Sequence, residues 1–100
     1  MKIPKVVNIL GVDYKVQFVD QPFIEDDDDL PQGTCDIKEK VIDIKNSLDL
    51  HRKKEVFIHE CFHALIEEAG LSHLFEEQSE EVLVKQLEKF VSKLFLKRRT

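Results

Sequence analysis

The stretch His59-Glu60-Cys61-Phe62-His63 decides how the rest of this 100-residue chain is read. On a helix, residues four apart stand one turn apart, so the two imidazoles point the same way. Such a pair can grip one zinc ion and leave Glu60 beside a water held by the metal. The motif requires a helix, and its flanks supply one. Over residues 48 or 49 to 69, Ile58, Phe62, Leu65 and Ala69 recur at helical spacing, broadened by Phe57, Cys61 and Ala64. Ser47 or Asp49 offers an N-cap, and Gly70 marks the stop. The histidines lie about 100° from the centre of that stripe, at the border between core and cleft.

Downstream, residues 77–97 read as a second helix. Leu83, Val84, Leu87, Phe90, Val91, Leu94 and Phe95 form its expected buried face. That helix is expected to pack along the first and to supply much of the core. Upstream, the period is that of strands. Residues 6–10 and 14–19 are apolar, β-branched or aromatic runs joined by Gly11-Val12-Asp13, the pattern of a hairpin. A second hairpin is expected from residues 33–37 and 41–45 around Lys38-Glu39-Lys40. Between the hairpins, residues 21–32 read as a loop with two prolines and the run Glu25-Asp26-Asp27-Asp28-Asp29. The run lacks the Gly and distal Glu of an EF-hand loop and reads as a solvated acidic segment. The expected fold is one α+β domain over residues 1–100, a small three- or four-stranded sheet packed on two long helices.

Composition narrows the function classes. The chain is 42% hydrophobic and 35% charged, with 3 Gly and 3 Pro, which is globular rather than disordered. Its net charge of -5 disfavours nucleic acid and anionic membrane as main partners. The basic Lys97-Arg98-Arg99 follows a helix end, where cations suit the dipole. Cys35 and Cys61 make no disulfide framework, and Cys61 reads as a reduced thiol of the core. The first residues do not form a signal peptide, and no run reaches transmembrane length, so a cytoplasmic location is expected.

A catalytic zinc wants a third protein ligand and one open position. The metzincin extension would need Gly at Ile66 and His at Ala69, and it is absent. No Asp follows Asp49, and His73 is the one later histidine. The acids that remain are Glu67, Glu68, Glu76, Glu77, Glu80, Glu81 and Glu88. Glu80 precedes Leu83, Val84 and Leu87 by three, four and seven residues, so it continues the expected buried face of the second helix. A carboxylate there is costly to bury unless it is paired or binds metal. Glu80 therefore ranks ahead of Glu81 as the third ligand, with Glu67 better placed beside a ligand than as one.

At His59-Glu60-Cys61-Phe62-His63-Ala64-Leu65, Gly70-Leu71 and Glu80-Glu81-Val82-Leu83-Val84-Lys85-Gln86-Leu87 the chain resembles the gluzincin metallopeptidases. The likeness is to their minimal single-domain forms and to related phage and prophage domains, and it spans about residues 6–95. It implies a zincin-like fold with one zinc ion held by His59, His63 and Glu80. It implies that Glu60 is the general base of peptide hydrolysis, acting on a metal-activated water. It also implies that an extended peptide substrate adds to an edge strand, here Val41–Lys45. Larger gluzincins carry a Tyr or His that stabilises the oxyanion. No matching motif stands here, with Tyr14 and His73 the nearest candidates. A zinc-binding regulatory or interaction module of peptidase descent is the alternative, and a metal-free domain with a chance motif is the third reading.

Overall fold

A computed structural model of the chain describes residues 2–20 and 32–96. The acidic run at 25–29 and the basic residues 97–99 lie outside the described residues. The elements are β1 (Val6–Ile9), β2 (Val12–Val19), β3 (Gly33–Asp36), β4 (Val41–Lys45), α1 (Leu50–Glu68) and α2 (Glu77–Phe95), with a 3-10 turn at Ser72–Leu74 before α2. This is the expected α+β class, with four strands in one mixed sheet and two helices of 19 residues each.

Both hairpins form, each closed by local chemistry. Leu10 and Gly11 take φ of 49° and 88°, the mirror-image turn that suits a two-residue connection between twisted strands. Ile9 pairs with Val12 across it, and the Asn8 side chain accepts from the Gly11 N–H at 2.9 Å. In the second hairpin the Asp36 carboxylate accepts from the Glu39 N–H at 2.9 Å, and Lys40 turns through φ 59° into β4.

The strand order is β1-β2-β4-β3. β4 pairs in parallel with β2, Lys15 facing Val41 through Val19 facing Lys45, and antiparallel with β3. Val41–Lys45 is therefore an inner strand, which corrects the edge position expected of it. The physical reason is visible in its side chains: Ile42 and Ile44 are completely buried, and Val41, Asp43 and Lys45 on the other face are half-covered. Among the described residues the edges are β1 and β3.

Tyr14 and Val16 of β2 and the two isoleucines of β4 point to one side of the sheet. There they meet Val56, Phe57, Ile58 and Ala64 of α1, with Leu96 closing the cluster. Each such aliphatic side chain contributes roughly 1.5–3 kcal/mol by leaving water. α2 gives less than expected. Within the helix only Val84 and Ser92 are buried, whereas Leu83, Phe90, Leu94 and Phe95 are exposed. The face turned to α1 carries Glu81, Val84, Glu88 and Val91 in place of the more numerous leucines.

Candidate metal centre

α1 starts where Asp49 caps it, its carboxylate accepting from the Arg52 N–H at 2.8 Å. It stops at Ala69, followed by Gly70 at φ 73°. Nothing interrupts the helix between, so His59 and His63 project one turn apart, their ring centroids 5.0 Å from each other. α2 returns alongside and presents three carboxylates to the two rings.

Glu81 stands between the imidazoles. Its carboxylate is 2.8 Å from His59 Nε2 and 3.0 Å from His63 Nε2. Ligand atoms of His59, His63 and Glu81 all lie within 4.8 Å of one another, so this group could hold a metal ion. Glu80, the expected third ligand, is instead 2.6 Å from His63 Nδ1, on the far side of that ring. Glu88 faces the matching nitrogen of His59 at 3.8 Å. The exchange of places follows from the rotation of α2. With Val84 rather than Leu83 and Leu87 turned to α1, the acid three residues before Val84 enters the cleft.

Two imidazoles and a carboxylate are donors that a metal ion can take. Burial pushes the His59 pKa down, against the pull of Glu81, which favours the neutral ring that a metal needs. The Glu80 carboxylate on His63 Nδ1 favours the tautomer that leaves Nε2 of that ring free to face inward, whereas Glu88, 3.8 Å from His59 Nδ1, is beyond hydrogen-bond distance.

Glu60 is buried on the sheet side of α1. Its stem lies over Gly33 of β3, where a Cβ would come within 3.4 Å of the Glu60 Cγ. Burial raises its pKa to about 7, with His63 lowering it and Glu81 raising it further. A carboxyl poised near neutrality can both take and return a proton. Gly33 went unread in the sequence. Its role depends on a helix crossing a strand at close range, and a lone glycine before Thr34 does not signal that.

The two oxyanion candidates are placed elsewhere. Tyr14 is fully buried, its hydroxyl donating to Glu68 at 2.5 Å, and burial with that carboxylate holds its pKa well above the usual phenol value. His73 is exposed on the 3-10 turn. Both thiols are free, and burial pushes each up to about 12. No helix among the described residues is long and apolar enough to cross a membrane.

Compared with known proteins, the chain matches no family, no curated sequence and no solved structure.

Proposed function

We propose that the chain is a zinc-dependent peptidase of gluzincin type, with His59, His63 and Glu81 as ligands and Glu60 as general base. The observation that carries this is the convergence of two imidazoles and a carboxylate beside a buried acid on the same helix. Bound zinc would polarise a scissile carbonyl and acidify a water. With the metal bound, Glu60 would accept a proton from the attacking water and return it to the leaving amine. Glu80, hydrogen-bonded to its Nδ1, holds the His63 ring. The strand that serves an extended peptide is β3, the sheet edge that approaches Glu60 through Gly33, in place of β4.

The engagement of Tyr14 with Glu68 favours a second reading, a zinc-binding regulatory or interaction module with little turnover. Elemental analysis of the purified chain and a peptide-library assay with and without chelator decide among the readings. Chelator-sensitive cleavage, with Glu60→Gln keeping its zinc and losing at least about 100-fold in rate, supports the peptidase. Zinc without cleavage supports the module. A chain that takes up no zinc refutes both.

A further inference from the structure

β1 lies on the opposite edge of the sheet from Glu60, and its outer main chain is open. The Val16 N–H donates to the Lys5 carbonyl at 2.8 Å, which sets the alternation of the β1–β2 ladder. Lys5, Val7 and Ile9 turn their N–H and C=O groups to β2, and Val6 and Asn8 turn theirs outward. Among the described residues no main-chain group pairs with those outward groups. Beside this edge a cavity of about 330 Å³ opens between Ile9 and Leu10 on one side and Ile58, Cys61, Phe62 and Leu65 of α1 on the other. Its walls are apolar, and its size falls within the range of ligand pockets. Edge and cavity together select the occupant. A small apolar molecule fills the cavity and leaves the edge unpaired. An extended peptide fills it with one side chain and pairs with β1 as well.

The ends of this groove select the peptide's charge. Lys53 Nζ lies 4.9 Å from the ring centroid of Phe18, near the end of β2, and Glu68, the last residue of α1, meets Tyr14 near the start of β2. α1 therefore runs against β2 and along β1, so its first turns stand at the Lys5 end while Leu65 stands by Leu10. Lys54 is one turn before Ile58, on the face of α1 that lines the cavity. Lys5 shares the side of β1 that carries Val7 and Ile9. Neither lysine has an ionic partner among the described residues, and Glu55, next to Lys54, is turned to His51 and Arg52. Two cations at one end and an apolar cavity at the other fit a strand with an acid and a large apolar residue on one face. Opposite Ile9 the apolar residue enters the cavity. Opposite Lys5, four residues further along, the acid meets both lysines.

We propose that β1 binds an acidic peptide segment of a partner protein as an added antiparallel strand, anchored by a large apolar side chain in the cavity beside Ile9 and by a carboxylate at Lys5 and Lys54. The probe is the capped heptapeptide Thr-Phe-Thr-Val-Thr-Glu-Thr, titrated into the full chain and followed by amide-resolved NMR. It should bind with a Kd on the order of 100 μM and shift the amides of β1 and of residues 58–65, leaving those of β3 in place. Methylating the amide nitrogens of its third and fifth residues, which would pair with Asn8 and Val6, should abolish binding. Methylating the second and fourth, which face away from β1, should change Kd by no more than about threefold. Lys5→Glu combined with Lys54→Glu should weaken the probe about tenfold and favour the same peptide with lysine in place of its glutamate. Circular dichroism and zinc content of that variant should match the parent's. The absence of any shift at millimolar probe overturns the proposal. So do shifts confined to β3, which would give the peptide to the cleft beside Glu60. Binding indifferent to the methyl groups or to the charge reversal also overturns it, and would leave the cavity to an apolar group alone.

Discussion

Between Glu80 and Glu81 an α-helix turns by about 100°, and that one step separates a carboxylate on the inward nitrogens of two imidazoles from one on an outward nitrogen. The two acids should therefore respond differently to loss of charge. Glu81→Gln removes an anionic donor from the cluster itself, whereas Glu80→Gln leaves the donors and loosens the hold on His63. Losing such an outer partner typically weakens a metal by roughly 10–100-fold, and Glu81→Gln should exceed it. Competition titration against a zinc chelator measures both, and the reverse order would return the ligand role to Glu80. A second carboxylate, Glu68, works away from the centre. It accepts from Lys40 Nζ at 2.9 Å and from the Tyr14 hydroxyl, joining the end of α1 to the sheet. Those hydrogen bonds hold its pKa below the ordinary value. The native state then binds the proton less readily than the unfolded chain, whose carboxyl titrates near about 4.3. The stabilisation is thus complete above that pH and is lost as pH falls through the native pKa. Glu68→Gln should melt below the parent at pH 7, and the gap should close in acid. A gap of constant size down to pH 2 would mean that the charge of Glu68 is immaterial.

Among the elements, α1 crosses β3 at close range beside Gly33. A Cβ at Gly33 would stand 2.4 Å from Val56 Cγ1 and 3.1 Å from the Asp43 carbonyl oxygen. Val56 is buried and cannot swing into solvent, so Gly33→Ala must push the helix from the strand. Overpacking of this kind costs about 1–3 kcal/mol. Denaturant unfolding should show that loss, and adding Val56→Ala should recover part of it, because the clash itself is removed. Strictly additive losses would place the strain elsewhere. The same elements show what periodicity can tell. The β2 alternation, the Asp49 cap and the Gly70 stop are local signals, and the strands and α1 follow them to within a few residues. The parallel pairing of β2 with β4 joins residues 26 apart, such as Lys15 and Val41, and leaves no local mark. Hence β4 passed for an edge. The apolar residues expected on one buried face of α2 divide: Val84 is buried, Leu87 and Val91 are half-buried, and Leu83, Phe90, Leu94 and Phe95 are exposed, because in an isolated sequence nothing says which part of so broad a face meets α1. That His59 and His63 face the same way was legible because a spacing of four on a helix sets it. Which of Glu80 and Glu81 stands between their rings was not, since it hung on the rotation of α2.

For the molecule as a whole, a single small core leaves little stability in reserve. The cluster of His59, His63 and Glu81 joins α1 to α2, the helix whose share of the core is Val84, the half-buried Val91 and, just past its end, Leu96. An ion bound there would tie α2 down where apolar packing is thin. Binding confined to the native state stabilises by RT ln(1 + [L]/Kd), about 2.7 kcal/mol at a hundredfold excess over Kd. In a domain of this size 1 kcal/mol moves Tm by roughly 4–8 °C, so zinc at that excess should raise Tm by roughly 10–20 °C. Chelator should reverse the shift. In His63→Ala the melting temperature should sit near that of the metal-free parent and stay there when zinc is added. Calorimetric scans of parent and variant, with zinc and with chelator, carry the comparison. Equal zinc-induced shifts in the two proteins would remove His63 from the centre and, with it, the coupling of metal binding to the docking of α2.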